Sequence, residues 1–234
     1  MRDVDQKGHS DMITKFFKNR SEAGRFLAQK LEEYTNNPNV VVLALPRGGV
    51  PVAYEVADAL KAPLDIFVVR KLGVPGYDEL AMGAIATGGI RVLNSRVVDY
   101  LDISDKTIEA VAAREQRELE RRERLYRGTQ PALDVRGRTV IIVDDGMATG
   151  STMHAAVRAL RQQQPQKIIV AVPVGARETC ESFAKEVDTI CVCAITPEPF
   201  DGVGLWYRDF EQTSDEEVRQ LLARVAESQS QRVA

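Results

Sequence analysis

The chain has 234 residues, of which 44% are hydrophobic and 28% charged, and a formal net charge of −3. Such a composition suits a globular protein with ample length for a core, and it exerts no global pull toward nucleic acid or an anionic membrane. Only His9 and His154 are present, which leaves little for a histidine metal site or a Ser-His-Asp triad. No run approaches ~18 apolar residues. The polar start "MRDVDQKGHSD" does not read as a secretory leader, so a cytoplasmic protein that avoids membranes is expected.

Residues 1–19 are polar and are expected to be loose. "SEAGRFLAQKLEEY" places Ala23, Phe26, Leu27, Leu31 and Tyr34 on one helical face, with Ser21 as the expected N-cap. "VVVLAL" at 40–45 is a continuous apolar run, as a parallel strand covered on both faces would be. "PRGG" follows it as a loop and "VPVAYEVADAL" as a helix. "LDIFVVR" at 64–70 reads as the next strand. "KLGVPGYDEL", rich in Gly and Pro and poor in apolar anchors, is expected to be a mobile loop. Gly88-Gly89 between "AMGAIA" and "IRVLN" signals a hairpin.

A charged helix is expected over 104–127. Its thin apolar stripe is Ile108, Ala112, Leu119 and Tyr126, and Gly128 ends it. Five arginines, Arg114, Arg117, Arg121, Arg122 and Arg124, alternate there with glutamates. They read as a solvated face laced with i,i+4 pairs, with a dimer arm or an active-site wall as the alternatives. Strand 139–143, helix 151–163, strand "KIIVAVPV", helix "TCESFAKEV", strand "TICVCAI" and a helix from Ser214 complete the chain. Strands alternating with helices predict an α/β fold with an open, mostly parallel sheet. The three cysteines, Cys180, Cys191 and Cys193, are a sparse set suited to a reducing compartment. The pair in "TICVCAI" reads as strand core rather than a metal site.

The chemistry concentrates in "VIIVDDGMATGST". Ligands of open α/β sheets bind at the carboxyl ends of strands, and Asp144 and Asp145 stand at such an end. After them Gly146, Ala148 and Gly150 leave backbone N–H groups accessible. Thr149, Ser151 and Thr152 add hydroxyls, and the following helix adds its positive end. The turn has no lysine and is neither a Walker-type P-loop nor G-x-G-x-x-G. Ionised carboxylates only accept hydrogen bonds and repel a bare phosphate. A ribose 5-phosphate resolves the conflict, with its ring hydroxyls on the aspartates and its phosphate in the loop.

This string resembles the phosphoribosyl-diphosphate (PRPP) binding motif of type I phosphoribosyltransferases: four apolar residues, two acids, two variable residues, then small-Thr-Gly and a hydroxyl two places on. Gly146 departs from the aliphatic residue usual there. "LPRGG" resembles the family's pyrophosphate loop, which implies Pro46, Arg47, Gly48 and Gly49 as pyrophosphate ligands and a cis peptide at Pro46–Arg47. The two glycines permit φ > 0 and close approach, and Arg47 can fork onto phosphate oxygens. "VRKLGVPGYDEL" resembles the flexible loop of adenine and orotate enzymes, which implies Arg70 and Lys71 as cations for the leaving group; Asp78 and Glu79 have no assigned role.

The resemblance implies a single domain over 1–234, with a core at 40–195 and a small hood and terminal helix at 196–234. It also implies PRPP and a base as substrates, Mg²⁺ held mainly by the ligand with help from Asp144 and Asp145, and a homodimer. Asp144, Asp145, Arg47 and Lys71 would be the catalytic group. Ala148 to Thr152 (Ala148, Thr149, Gly150, Ser151, Thr152) would hold the 5-phosphate. "PEPFDGVGLWYRDF" loosely resembles the hood of hypoxanthine-guanine enzymes and offers Phe200, Trp206 and Tyr207 for base stacking. Ala148, where 6-oxopurine enzymes often carry Asp, points away from those bases, so the acceptor stays open. The overall arrangement is most similar to a bacterial subgroup of phosphoribosyltransferases without an assigned substrate. A regulatory PRPP-binding protein and an enzyme acting differently on a phosphoribosyl compound are the alternative readings.

Overall fold

The computed structural model describes residues 17–196 and 200–233, with the side chains of 78, 79, 190–196 and 229–233 left aside. The expectations for residues 1–16, for the side chains of Asp78 and Glu79 and for the environment of Cys191 and Cys193 therefore lie outside the described residues. The chain runs α1 (Arg20–Lys30), β1 (Val40–Ala44), α2 (Gly49–Leu60), β2 (Leu64–Ile66), β3 (Val69–Val74), β4 (Tyr77–Ala86) and β5 (Ile90–Leu93). It continues through α3 (Ser95–Tyr100), α4 (Asp105–Arg127), β6 (Thr139–Val143), α5 (Ser151–Gln162), β7 (Lys167–Ala176), α6 (Arg177–Phe183), β8 (Thr189–Thr196) and α7 (Asp215–Val233).

Five strands form one sheet in the order β2-β1-β6-β7-β8. Every pairing in it is parallel, with Val42 beside both Leu64 and Ile141, and Ile141 beside Ile169. β1 and β6 are buried along their whole lengths. Successive side chains of a strand point to opposite faces, and the core divides accordingly. Val40, Val42, Ala44, Ile141 and Val143 pack with Leu27 of α1, Val52 of α2, Leu119 of α4 and Val218 of α7. Val41, Leu43, Val140 and Ile142 pack on the other side with Met153 and Leu160 of α5 and Phe183 of α6. That double cover is why these strands read as unbroken apolar runs.

Several expectations are corrected. Strand 64–70 is two strands in two sheets: Ile66 pairs with Ala44, whereas Val69 pairs with Ala86. The stretch expected as a loop from Lys71 is the first hairpin of a separate antiparallel sheet, β3-β4-β5, in which Gly73 sits at a register shift and Gly76 turns at φ +82°. The N-cap of α1 is Asn19, whose side chain accepts from the Glu22 N–H, rather than Ser21.

Residues 17–19, expected to be loose, are instead tied down. The Phe17 N–H donates to the Trp206 carbonyl at 2.8 Å and its own carbonyl accepts from Arg208. Phe26, expected on the buried face, is 39% exposed and leans on Phe17. Helix α4 matches its expected stripe, all buried, and is capped by Ser104 and Gly128. At its last turn Arg127 Nε donates to both oxygens of buried Asp65 at 3.0 and 3.2 Å and its Nη2 to the Ile66 carbonyl. The clamp fixes the point where the chain leaves the parallel sheet.

Candidate active site

The carboxyl ends of β1 and β6 lie side by side, Leu45 N–H donating to the Val143 carbonyl at 2.9 Å. Two loops leave from there. The first holds a cis peptide between Pro46 and Arg47, as the resemblance implied. Its glycines serve close approach rather than positive φ, since Gly48 has φ −59°. A Cβ on Gly48 would lie 2.0 Å from Asp145 Oδ2, and one on Gly49 2.9 Å from Asp144 Cα. Only bare backbone lets this loop rest on the acidic pair.

The second loop begins with that pair. Burial, and then the neighbouring Asp145 charge, raise the Asp144 carboxyl well above the usual carboxylate range. Burial also raises Asp145, against the opposing pull of Arg20. Arg20 Nε donates to Asp145 Oδ2 at 2.8 Å, Arg20 Nη1 donates to the Glu211 carbonyl at 2.7 Å, and the guanidinium lies 3.8 Å over the Phe210 ring. The Asp145 N–H donates to Asp144 Oδ1 at 2.8 Å and the Tyr207 hydroxyl to the Asp145 carbonyl at 2.5 Å.

Past the acids the loop is pinned to β7 and α6. Met147 exchanges backbone bonds with Val174 and Ala176, and the Thr179 hydroxyl donates to the Ala148 carbonyl at 2.6 Å. Gly150 turns at φ +69°, where a Cβ would also strike Phe183 and Thr179 at 2.7 Å. Ala148, Thr149, Ser151 and Thr152 stay exposed around the start of α5, whose first N–H groups have no partner within the helix. The Thr149 and Ser151 hydroxyls lie 3.1 Å apart. Pinned behind and open in front, the loop can receive an anion. The departure at Gly146 has a steric explanation: a Cβ there would lie 2.4 Å from Val203 Cγ1, so the hood occupies the space a side chain would need.

The remaining predicted residues divide. Arg47 stands 3.7 Å from Asp215 at the start of α7. Arg70 is bound by Glu115 of α4, with Nη2 and Nε at 2.6 and 2.9 Å from Oε2. Lys71 is exposed on β3 and lines a cleft with Asn94, Ser151, His154 and Arg158. Tyr207, expected as a base contact, is instead buried as a post under Asp145. Phe200 and Trp206 are half-buried against Phe17 and Tyr207. Arg20 and Phe210 were not anticipated. The Arg20–Asp145 bond spans 125 positions, and Arg20 lies in no sequence pattern that signals it.

The chain matches the family model described as phosphoribosyl transferase domain over residues 11–207. It is 47% identical over 210 residues to a Mycobacterium tuberculosis protein that carries the provisional name of phosphoribosyl transferase, covering 90% of this chain and 47% of that protein. The chain thus spans about half the length of the curated relatives it matches. Over a shorter stretch of 75 residues it is 36% identical to ribose-phosphate pyrophosphokinase of Pyrococcus furiosus, covering 31% of this chain and 27% of that enzyme. Among solved structures, that of TT1426 from Thermus thermophilus superposes with a TM-score of 0.79 at 39% identity, covering 89% of this chain and 98% of that one. With an acidic pair and a loop of small and hydroxyl residues at the carboxyl ends of a parallel sheet, and a family model matching most of its length, the chain belongs to the phosphoribosyl transferase domain family.

Proposed function

We propose that the chain transfers the 5-phosphoribosyl group of PRPP to a nitrogenous base and releases pyrophosphate. The observation that carries this reading is the contact between the two loops: Gly48 lies so close to Asp145 that a single added carbon would overlap its carboxylate. One ligand bearing a phosphate, vicinal hydroxyls and a diphosphate meets all three surfaces together. In this reading Thr149, Gly150, Ser151 and Thr152 hold the 5-phosphate through hydroxyls and the α5 N-terminus. Asp144 and Asp145 accept from the ribose hydroxyls and stabilise positive charge growing at the anomeric carbon. Arg47, with Lys71 from β3, balances the departing pyrophosphate. The base nitrogen forms its bond to the anomeric carbon as the bond to the pyrophosphate oxygen breaks.

Among the described residues no group of three or more His, Cys, Asp or Glu is placed to hold a metal ion. The two adjacent carboxylates are nevertheless hard oxygen donors of the kind Mg²⁺ takes alongside substrate phosphates. An ion there would rest on Asp144 or Asp145 and on the substrate's own oxygens. When bound it supplies charge neutralisation of the leaving pyrophosphate. Among the described residues no helix is long and apolar enough to cross a membrane.

A second reading, a PRPP-responsive regulatory protein, draws support from Arg70, which Glu115 engages and which is therefore a poor candidate for the pyrophosphate. Incubation with PRPP, Mg²⁺ and a panel of purines, pyrimidines and other nitrogen nucleophiles separates the two. Base-dependent pyrophosphate release supports transfer; PRPP binding without release by any acceptor supports regulation.

A further inference from the structure

The start of α7 reaches into the pyrophosphate loop. Asp215 Oδ1 accepts from the Tyr126 hydroxyl of α4 at 2.6 Å and lies 3.7 Å from Arg47 Nη1. The two contacts differ in kind. At 2.6 Å the first is a short, charge-assisted hydrogen bond. At 3.7 Å the second is beyond hydrogen-bond distance and is a charge contact alone. Both of its partners are open to solvent, with Arg47 34% and Asp215 44% exposed, so it is weak. Burial first, then the bond to Asp215, push the Tyr126 phenol up to about 12, so it stays a donor throughout the neutral range. Tyr126 therefore fixes Asp215, and Asp215 loosely holds Arg47.

We propose that Asp215 is a positioning residue for Arg47: it holds the guanidinium at the start of α7 and competes for it with pyrophosphate, so that the leaving group is bound less tightly and released sooner. The inference rests on the assignment of residues 46–49 as the pyrophosphate loop. It gives α4 and α7, which contribute no residue to the acidic pair or the phosphate loop, a common part in the site. A diphosphate carries several charges against the one carboxylate of Asp215, so Arg47 goes to the ligand when it arrives and returns when it leaves.

Asp215→Asn keeps an oxygen for Tyr126 and removes the charge that holds Arg47. Calorimetric titration with magnesium pyrophosphate should show binding tightened roughly two- to fivefold in Asp215→Asn, the range of a solvent-exposed ion pair. In an Arg47→Ala background the same substitution should change nothing, and Asp215→Glu should restore wild-type affinity. Turnover in Asp215→Asn should fall with the affinity gain, and the KM for PRPP should fall with it, because Arg47 meets the same diphosphate in substrate and product. Unchanged pyrophosphate affinity in Asp215→Asn, or an equal gain without Arg47, overturns the positioning role while leaving the loop assignment standing. Failure of the wild type to bind pyrophosphate overturns both.

Discussion

Arg20 and Asp145 are joined at 2.8 Å, with side chains only 11% and 15% exposed. The first residue of α1 thus neutralises an acid at the carboxyl end of β6. Removing one partner of a largely buried pair strands the other charge, whereas removing both does not. Arg20→Ala should therefore cost about 1–3 kcal/mol in chemical denaturation. Combining it with Asp145→Asn should recover part of that loss. Additive losses in the double variant would show that the pair is not coupled.

At Asp144 it is removal of the charge that should stabilise. Its folded-state pKa is raised, chiefly by burial and then by Asp145. The native protein therefore binds a proton that the unfolded chain has released, and stability falls as pH rises from the ordinary carboxylate range through the raised value. Asp144→Asn keeps an acceptor for the Asp145 N–H and removes the charge. It should stabilise the ligand-free protein by about 0.5–2 kcal/mol at neutral pH, at the expense of function. The gain should shrink as pH falls toward about 4, where the unfolded Asp is itself protonated. Melting curves from pH 4 to 8 measure this, and a gain independent of pH would contradict it.

Gly146 and Val203 form a matched pair of absence and bulk. Because a Cβ at 146 would sit 2.4 Å from Val203 Cγ1, and a β-branched side chain cannot swing aside, Gly146→Ala should destabilise by about 1–3 kcal/mol. Val203→Ala in the same chain should restore most of the loss. A thermal melt of the single and double variants decides it; the absence of rescue would place the strain elsewhere.

The arginines of α4 should differ sharply. Arg127 is 10% exposed and bonded to buried Asp65, whereas Arg121 is 57% exposed and paired with Glu118 on its own helix. Arg127→Ala should cost about 3–5 kcal/mol, and Arg121→Ala should leave the denaturation midpoint close to that of the wild type. Equal effects in denaturant titration would contradict this division.

The contrast shows what the sequence exposes and what it hides. Strand β6 and the loop behind it were legible because local rules agree there: an apolar run buried on both faces, two acids at its end, then small and hydroxyl residues before a helix. The bound of β6 at Thr139–Val143 matches its expectation. The stretch from Lys71 to Leu80 was not legible, because Gly73, Pro75 and Gly76 are loop residues by composition. In the fold they are a register shift and a hairpin turn inside paired strands. The split of 64–70 was equally hidden, since it depends on Arg127, far along the chain, gripping Asp65.

Within the candidate site, the residues contiguous in sequence can be proposed from local pattern, whereas those joined by tertiary contact cannot. Arg20 belongs to a helix start of no special pattern. Tyr207 is a ring by type, and only packing turns it into a support for the Asp145 carbonyl rather than an open stacking surface. Gly146 marked the departure from the family pattern, but its cause, Val203, lies in the hood.

The most direct test of the account is calorimetric titration of PRPP in the presence of Mg²⁺ into the wild type and into the Asp144→Asn/Asp145→Asn variant, with folding of both checked by circular dichroism. The account predicts binding by the wild type and a loss of about tenfold or more in the variant, the scale of charged hydrogen bonds to two hydroxyls. Absence of binding by the wild type, or equal affinity in the two proteins, would contradict it.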